Sequence, residues 1–240
     1  MWARPLLATA LLAVTCACSC EPARPPSSAA LSEVRSRALH GKQARALETL
    51  ERWARGGDPG SQRALADVYA AGGDRSGHER ALHLYGTAAA AGDMAAQMTL
   101  GRALRRGELG VAVDMASARK WYSAAAAQGE AGAELALGLM ARNGEGGPRD
   151  PGAAVSWLER AAEHGSAEAM FHLGNIFAEG EGVPRDLARA REWYERAADR
   201  GLPVALQTLG MAYRTGDLGL PRDEEKADEL LREAGHQAPP

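Results

Sequence analysis

From about residue 58 the chain resembles itself every 36 or so residues. This period constrains the fold more than any other feature, because a unit that short cannot bury an apolar face alone and must stack on copies of itself. Several markers hold the register together. Trp121, Trp157 and Trp193 stand 36 apart, and Gly101, Gly138, Gly174 and Gly210 follow at steps of 37, 36 and 36. A second glycine, at Gly57, Gly92, Gly129, Gly165 and Gly201, closes each unit at nearly the same step.

Each unit reads as two helices. Ala169, Leu173, Ile176 and Phe177 recur at i, i+4, i+7 and i+8, an apolar stripe of helical period. Gly180 follows as a stop, matched by Gly72, Gly107, Gly144 and Gly216, where a left-handed residue ends a helix at little steric cost. Next come Asp114, Asp150, Asp186 and Asp223, whose carboxylates can accept the free amides that open a second helix, with Gly77 filling that place in the first unit. The second helix then carries Leu84-Tyr85, Trp121-Tyr122, Trp157-Leu158, Trp193-Tyr194 or Leu230-Leu231, and three residues later a pair of small residues such as Ala125-Ala126. Small rows let helices approach closely, and the tryptophan is expected to fill the space that remains. A chain with 51 alanines and 28 glycines in 240 residues and only 5% aromatics is therefore consistent with a core divided among units. A mid-helix glycine such as Gly174 costs about 1 kcal/mol in propensity, so its recurrence argues for a steric need.

The start of the chain differs. Arg4 is followed by an apolar run from Leu6 to Val14, too short to span a bilayer, which needs about 20 residues. Residues 1–20 read as a secretory signal. Val14-Thr15-Cys16-Ala17-Cys18 resembles a bacterial lipoprotein signal with Cys18 as the acylated residue, although leucine is missing three residues before it. The alternative is an ordinary cleaved signal. All three cysteines (Cys16, Cys18, Cys20) lie here, so the body has no disulfide and no thiolate metal site. Residues 21–30, EPARPPSSAA, form a semi-extended tether.

Taken together, the Leu-Gly pair, the Gly-x-Gly loop, the Asp cap, the Trp-Tyr pair and the final Ala-Ala-x-x-Gly resemble the Sel-1-like repeat, a relative of the tetratricopeptide repeat. Five copies span 58–238. Residues 31–57 resemble a degenerate opening unit or cap, with Trp53 on a row that is Ala elsewhere. The resemblance implies an all-α, right-handed α-solenoid of helix-turn-helix repeats whose first helices line a concave face. It further implies a non-enzymatic scaffold that binds a protein or peptide, exported to the periplasm or cell envelope and touching a membrane only through a lipid anchor.

Carried over residue by residue, the concave rows are Asp67, Arg102, Leu139, Asn175 and Met211; Arg63, Met98, Leu135, Phe171 and Gln207; and Ala70, Arg105, Arg142, Ala178 and Arg214. Arginines mixed with Met, Leu and Phe suit an extended segment that is acidic and partly apolar. The same arginines read equally well as solvated residues on a helix face, with Leu135 and Phe171 packed inside the repeat.

Other chemistries find less support. Ser117-Ala-Arg-Lys120 has the spacing of a serine β-lactamase motif and Arg214-Thr-Gly216 faintly echoes a second one, and some exported members of the family are associated with penicillin hydrolysis. However, Ser117 aligns with Ala153 and Arg189, and Lys120 with Ser156 and Glu192. Gly144-Glu-Gly146 and Gly180-Glu-Gly182 follow no strand and recur with the repeat, so they are turns and not phosphate loops. The histidines have no ligand spacing; His164 sits at a helix end and His172 on an exposed row. No cofactor or metal is expected. A formal charge of -3 gives no case for nucleic acid. Three readings stay open: an envelope-anchored interaction scaffold, an exported hydrolase of β-lactam or peptidoglycan-like substrates, and a regulatory binder of glycan strands or surface polysaccharide machinery.

Overall fold

The computed structural model describes residues 26–41 and 43–237; the signal segment, Cys18 and residues 21–25 of the tether lie outside the described residues. Two opening helices, α1 (Ser28–Gly41) and α2 (Ala44–Arg55), precede five helix pairs. These are α3 (Pro59–Ala71) with α4 (Arg75–Ala90), α5 (Met94–Arg106) with α6 (Met115–Ala126), and α7 (Ala131–Asn143) with α8 (Pro151–Glu163). Then come α9 (Ala167–Glu179) with α10 (Leu187–Asp199), and α11 (Pro203–Thr215) with α12 (Glu224–Gln237). Helix α1 begins three residues earlier than the tether boundary drawn from the sequence.

The described chain is all-α and builds an α-solenoid in which each helix packs chiefly on its neighbours in the chain. The core accordingly falls into four apolar clusters strung along the array, with no common centre.

The second helices start as the aspartates foretell. Asp114 accepts from the Ser117 amide, Asp150 from Ala153, Asp186 from Ala188 and Arg189, and Asp223 from Lys226. The first unit departs from expectation: its cap is Asp74, which accepts from the Gly77 amide, and Gly77 sits inside the helix. First helices are capped too, by Asp58, Asp93, Glu130 and Ser166, which the pattern search did not single out. Of the expected stops, Gly107, Gly144, Gly180 and Gly216 are left-handed. Gly72 keeps a right-handed φ of -66°, and Gly73 makes the left-handed turn in its place.

The anchor of each pair is not the tryptophan. Tyr85, Tyr122, Leu158 and Tyr194, the second residues of their pairs, are at most 4% exposed, whereas Trp121, Trp157 and Trp193 are only half-buried. The buried ring or isobutyl group lies against the mid-helix glycine of the same unit. A Cβ on Gly174 would stand 2.5 Å from Tyr194 Cε1, one on Gly101 2.8 Å from Tyr122, and those on Gly138 and Gly210 within 2.9 Å of the Cγ of Leu158 and Leu231. The steric need inferred from the repeat is thus met by the residue beside the tryptophan. The first unit carries Ala66 at this position, fully buried, so the close approach belongs to the later four units.

Gly174→Ala should therefore destabilise the protein by about 1–3 kcal/mol through overpacking. Gly86→Ala, in α4 where an added Cβ meets nothing within 4 Å, should stabilise it by up to about 1 kcal/mol. Urea denaturation of the two variants side by side tests the claim, and equal shifts in the same direction would refute it.

Candidate functional site

The first-helix rows carry the residues singled out from the sequence, and the structure divides them into those engaged within the chain and those presented outward. In the middle row, the Asp67 carboxylate is held by Arg35 at 2.8 Å and accepts from the Tyr85 hydroxyl at 2.6 Å. Asn175 accepts from the Tyr194 hydroxyl at 2.7 Å. Burial, with Glu179 adding to it, pushes the Tyr194 phenol up to about 12, so it stays a donor at any ordinary pH. Arg102 is more than half exposed and pairs with Glu108 of its own unit, at 3.1 Å. Leu139 is half-buried and Met211 is 47% exposed.

In the preceding row, Arg63 pairs with Asp93, the cap of α5, at 3.0 Å. Met98 and Leu135 pack on apolar clusters, and Phe171 lies 5.5 Å from the Tyr194 ring. Gln207 is exposed.

The third row joins one unit to the next. Arg105 grips Glu145 with two nitrogens at 2.7 and 3.2 Å, and Arg142 reaches Glu181 at 2.6 Å and Glu179 at 3.4 Å. Arg149 also pairs with Glu181. Glu145 and Glu181 belong to the Gly-Glu-Gly turns of the following unit, which gives those turns a structural role. The turn must press on its neighbour. A Cβ on Gly146 would meet the Met115 carbonyl oxygen at 2.5 Å, and Gly146 itself is left-handed at φ +71°, so two independent constraints select glycine.

At the outer junctions the chemistry changes. Ala70 and Ala178 replace arginine, Leu109 and Leu218 replace the turn glycine, and each Ala/Leu combination packs on a shared apolar cluster. Arg214 pairs with Asp228 of α12. Arg63, Arg105, Arg142 and Arg214 are thus all engaged by carboxylates of the same chain.

Beside the exposed Arg102 and Gln207, the first-helix face presents an apolar patch at its C-terminal end. A cleft of about 480 Å³ is lined by Tyr194, Val204, Thr208, Met211, Thr215 and Leu218. Val204 and Met211 are two of the four large apolar residues exposed among the described residues.

One buried charge was not foretold by the sequence. Glu134 is fully buried, with Arg160 at 2.9 Å and His164 Nδ1 at 2.7 Å. His164, which ends α8, is therefore a carboxylate partner as well as a helix-end residue. The signal was present one unit earlier, where buried Gln97 donates to the Ala89 carbonyl and accepts from Gln128. His172 is half-buried and not on an exposed row, and its Nδ1 has no hydrogen-bond partner among the described residues. Burial lowers its pKa, Arg142 lowers it further, and Glu168 opposes them.

The enzyme-like strings fall on structural duties. The Ser117 amide serves the Asp114 cap of α6. The Thr215 hydroxyl donates to the Met211 carbonyl at the end of α11, where there is no strand. Among the described residues no group of three or more His, Cys, Asp or Glu is placed to hold a metal, and no helix is long and apolar enough to cross a membrane.

Comparison with known proteins matches the repeats directly. The family model described as Sel1 repeat matches residues 59–93, 95–130, 131–166, 167–202 and 203–238. A Sel1 repeat protein from Oxalobacter formigenes is 28% identical with a TM-score of 0.77, over 87% of this chain and 86% of that one. A protective antigen present in uropathogenic Escherichia coli strains, displaying an SLR fold, is also 28% identical with a TM-score of 0.77. The match covers 87% of this chain but 46% of the antigen, so the chain spans less than half of that relative's length. No curated protein sequence matches.

Two measurements probe the electrostatics. In a double-mutant cycle, Arg105→Ala and Glu145→Ala should show a coupling of about 1 kcal/mol at low salt, shrinking near 1 M salt; no coupling at either would remove the junction role. For His172, the unfolded chain takes up a proton at higher pH than the folded one. Stability is then full above the ordinary histidine pKa of 6.5 and falls as pH drops through and below it. His172→Gln should flatten the fall in urea midpoint between about pH 7 and 5, and an unchanged slope would exclude the histidine as its source.

Proposed function

The chain belongs to the Sel1 repeat family, and we propose that it is a non-enzymatic scaffold that holds a segment of another protein on its first-helix face. The observation that carries this reading is the outward apolar cleft around Met211, with Val204 exposed beside it. Exposed apolar side chains grouped at one place on an otherwise charged surface mark an interaction site. The cleft volume lies in the range that accepts whole side chains.

The segment it fits is anchored by apolar residues. An acidic character is favoured less than the arginine count suggests, because most of those guanidiniums already face carboxylates of their own chain. Arg102 and Arg105 share α5 but differ in purpose: the first is more than half exposed and pairs within its own unit, the second grips the single carboxylate of Glu145 with two nitrogens.

We place the scaffold in the bacterial cell envelope, exported by residues 1–20 and held at a membrane by acylated Cys18, on the strength of the signal pattern alone. Hydrolysis of β-lactams is disfavoured because Ser117 and Lys120 open an ordinary capped helix.

Cross-linking in the native cell followed by identification of captured proteins tests the reading. Met211→Asp combined with Val204→Asp should reduce capture of the principal partner by about tenfold or more, while Arg102→Glu has a smaller effect. Undiminished capture by the double variant would sink the proposal, and nitrocefin turnover lost in Ser117→Ala would replace it with the hydrolase reading.

A further inference from the structure

The tryptophan position of the repeat is occupied by Leu84 in the first unit and Leu230 in the last, and a cleft opens beside each of them. The larger, about 600 Å³, lies between α10, α11 and α12, on the side of α11 away from Met211. Its apolar floor is Ala198, Leu206, Leu209 and Tyr213. These are the 36-residue equivalents of Ala162, Met170, Leu173 and Phe177, which belong to the cluster that Trp193 packs against. The last unit therefore repeats the floor on which an indole rests but lacks the indole.

The inner units also show what company such a ring keeps. Arg160 lies over Trp157 with 4.6 Å to the ring centroid, and Arg196 over Trp193 with 4.2 Å, each three residues beyond its tryptophan. Both stacks combine apolar burial with a cation on the ring face. In the last unit the residue three beyond Leu230 is Glu233, and Glu195 and Asp199 stand on the same rim. Lys226 is the one ammonium in the lining and leans over Tyr213 at 4.9 Å; Glu195 holds Arg191 only at 3.6 Å. Glu195, Asp199 and Glu233 thus outnumber Lys226 in the lining, and Glu233 stands where the inner units supply a guanidinium.

We propose that this cleft takes an aromatic side chain, indole foremost, from a partner polypeptide that carries an arginine close to the aromatic residue. The ring replaces the missing tryptophan on the floor, and the arginine meets the acidic rim. Beside Leu84 the equivalent space is divided into clefts of about 250 and 440 Å³, with Arg55 where Asp199 stands and Arg80 where Lys226 stands, so it does not offer the same charge. This site is separate from the Met211 face and does not depend on it.

The test uses the whole body of the protein with methyl-labelled leucines, titrated with the peptide Ac-Trp-Ala-Ala-Arg-NH2, whose spacing copies Trp193 and Arg196. Saturable shifts of the Leu206, Leu209 and Leu230 methyls are expected. Replacing the peptide's tryptophan with alanine should weaken binding by about tenfold or more, and replacing its arginine with glutamate should weaken it as well. Leu230→Trp should fill the cleft, keep or raise the melting temperature and abolish binding; Asp199→Lys, on the exposed rim, should weaken binding without touching the floor. Met211→Asp should leave the titration unchanged, which separates this site from the first-helix face. Absence of saturable shifts, equal shifts with the alanine peptide, or binding retained in both Leu230→Trp and Asp199→Lys would overturn the assignment.

Discussion

Where a second-helix tyrosine or leucine lies against the Cα of a mid-helix glycine, the two helices of a unit come as near as their backbones permit. That contact sets the spacing on which the remaining rows are built. With a side chain at Gly174 the Tyr194 ring would have no place, and the hydroxyl that reaches Asn175 would be carried away with it. Because the anchor is repeated and the units touch only in series, cohesion is shared along the array. A chain rich in alanine and glycine can then be stable with few large apolar residues.

Neighbouring positions follow the anchor. Where the second helix offers Tyr85 or Tyr194, the residue after the mid-helix site is Asp67 or Asn175 and takes the hydroxyl. Where it offers Leu158 or Leu231, the same site is Leu139 or Met211. A buried hydroxyl needs an acceptor and an isobutyl group does not, so in these four units the choice on the second helix goes with the polarity of the outward row on the first; Tyr122, beside Arg102, does not follow the rule. The Met211 cleft is in this sense a by-product of Leu231: the last unit has no phenol to satisfy, which leaves its row free to be apolar.

Periodicity made most of the fold legible before any coordinates. Helix pairs, glycine stops and second-helix caps all recur, and recurrence separates them from noise. The errors arose where one unit departs from the others, as with Asp74 taking the cap from Gly77, or where two adjacent residues share a marker, as with Trp193 and Tyr194. The larger residue drew attention although the smaller ring is the one that faces the glycine. The binding face was less legible. Arginines at Arg105 and Arg142 look available in a linear sequence, and only the stacking of units brings Glu145 and Glu181 against them, about 40 positions downstream. The pairing does leave a trace: arginine goes with a Gly-Glu-Gly turn in the next unit, and alanine with a leucine there.

That trace bears on how the array can change its length. The units are alike in fold, but their third row carries two kinds of connector, ionic at the inner junctions and apolar at the outer ones, and these connectors do not mix well. Excising the third unit would bring Arg105 to the turn of Glu181, a matched joint. Excising the second would bring Ala70 to the turn of Glu145, leaving that carboxylate without its guanidinium; excising the fourth would bring Arg142 to a turn holding Leu218 in place of glycine. Interior duplication or loss is therefore graded by position, and the order of the units is written into their edges.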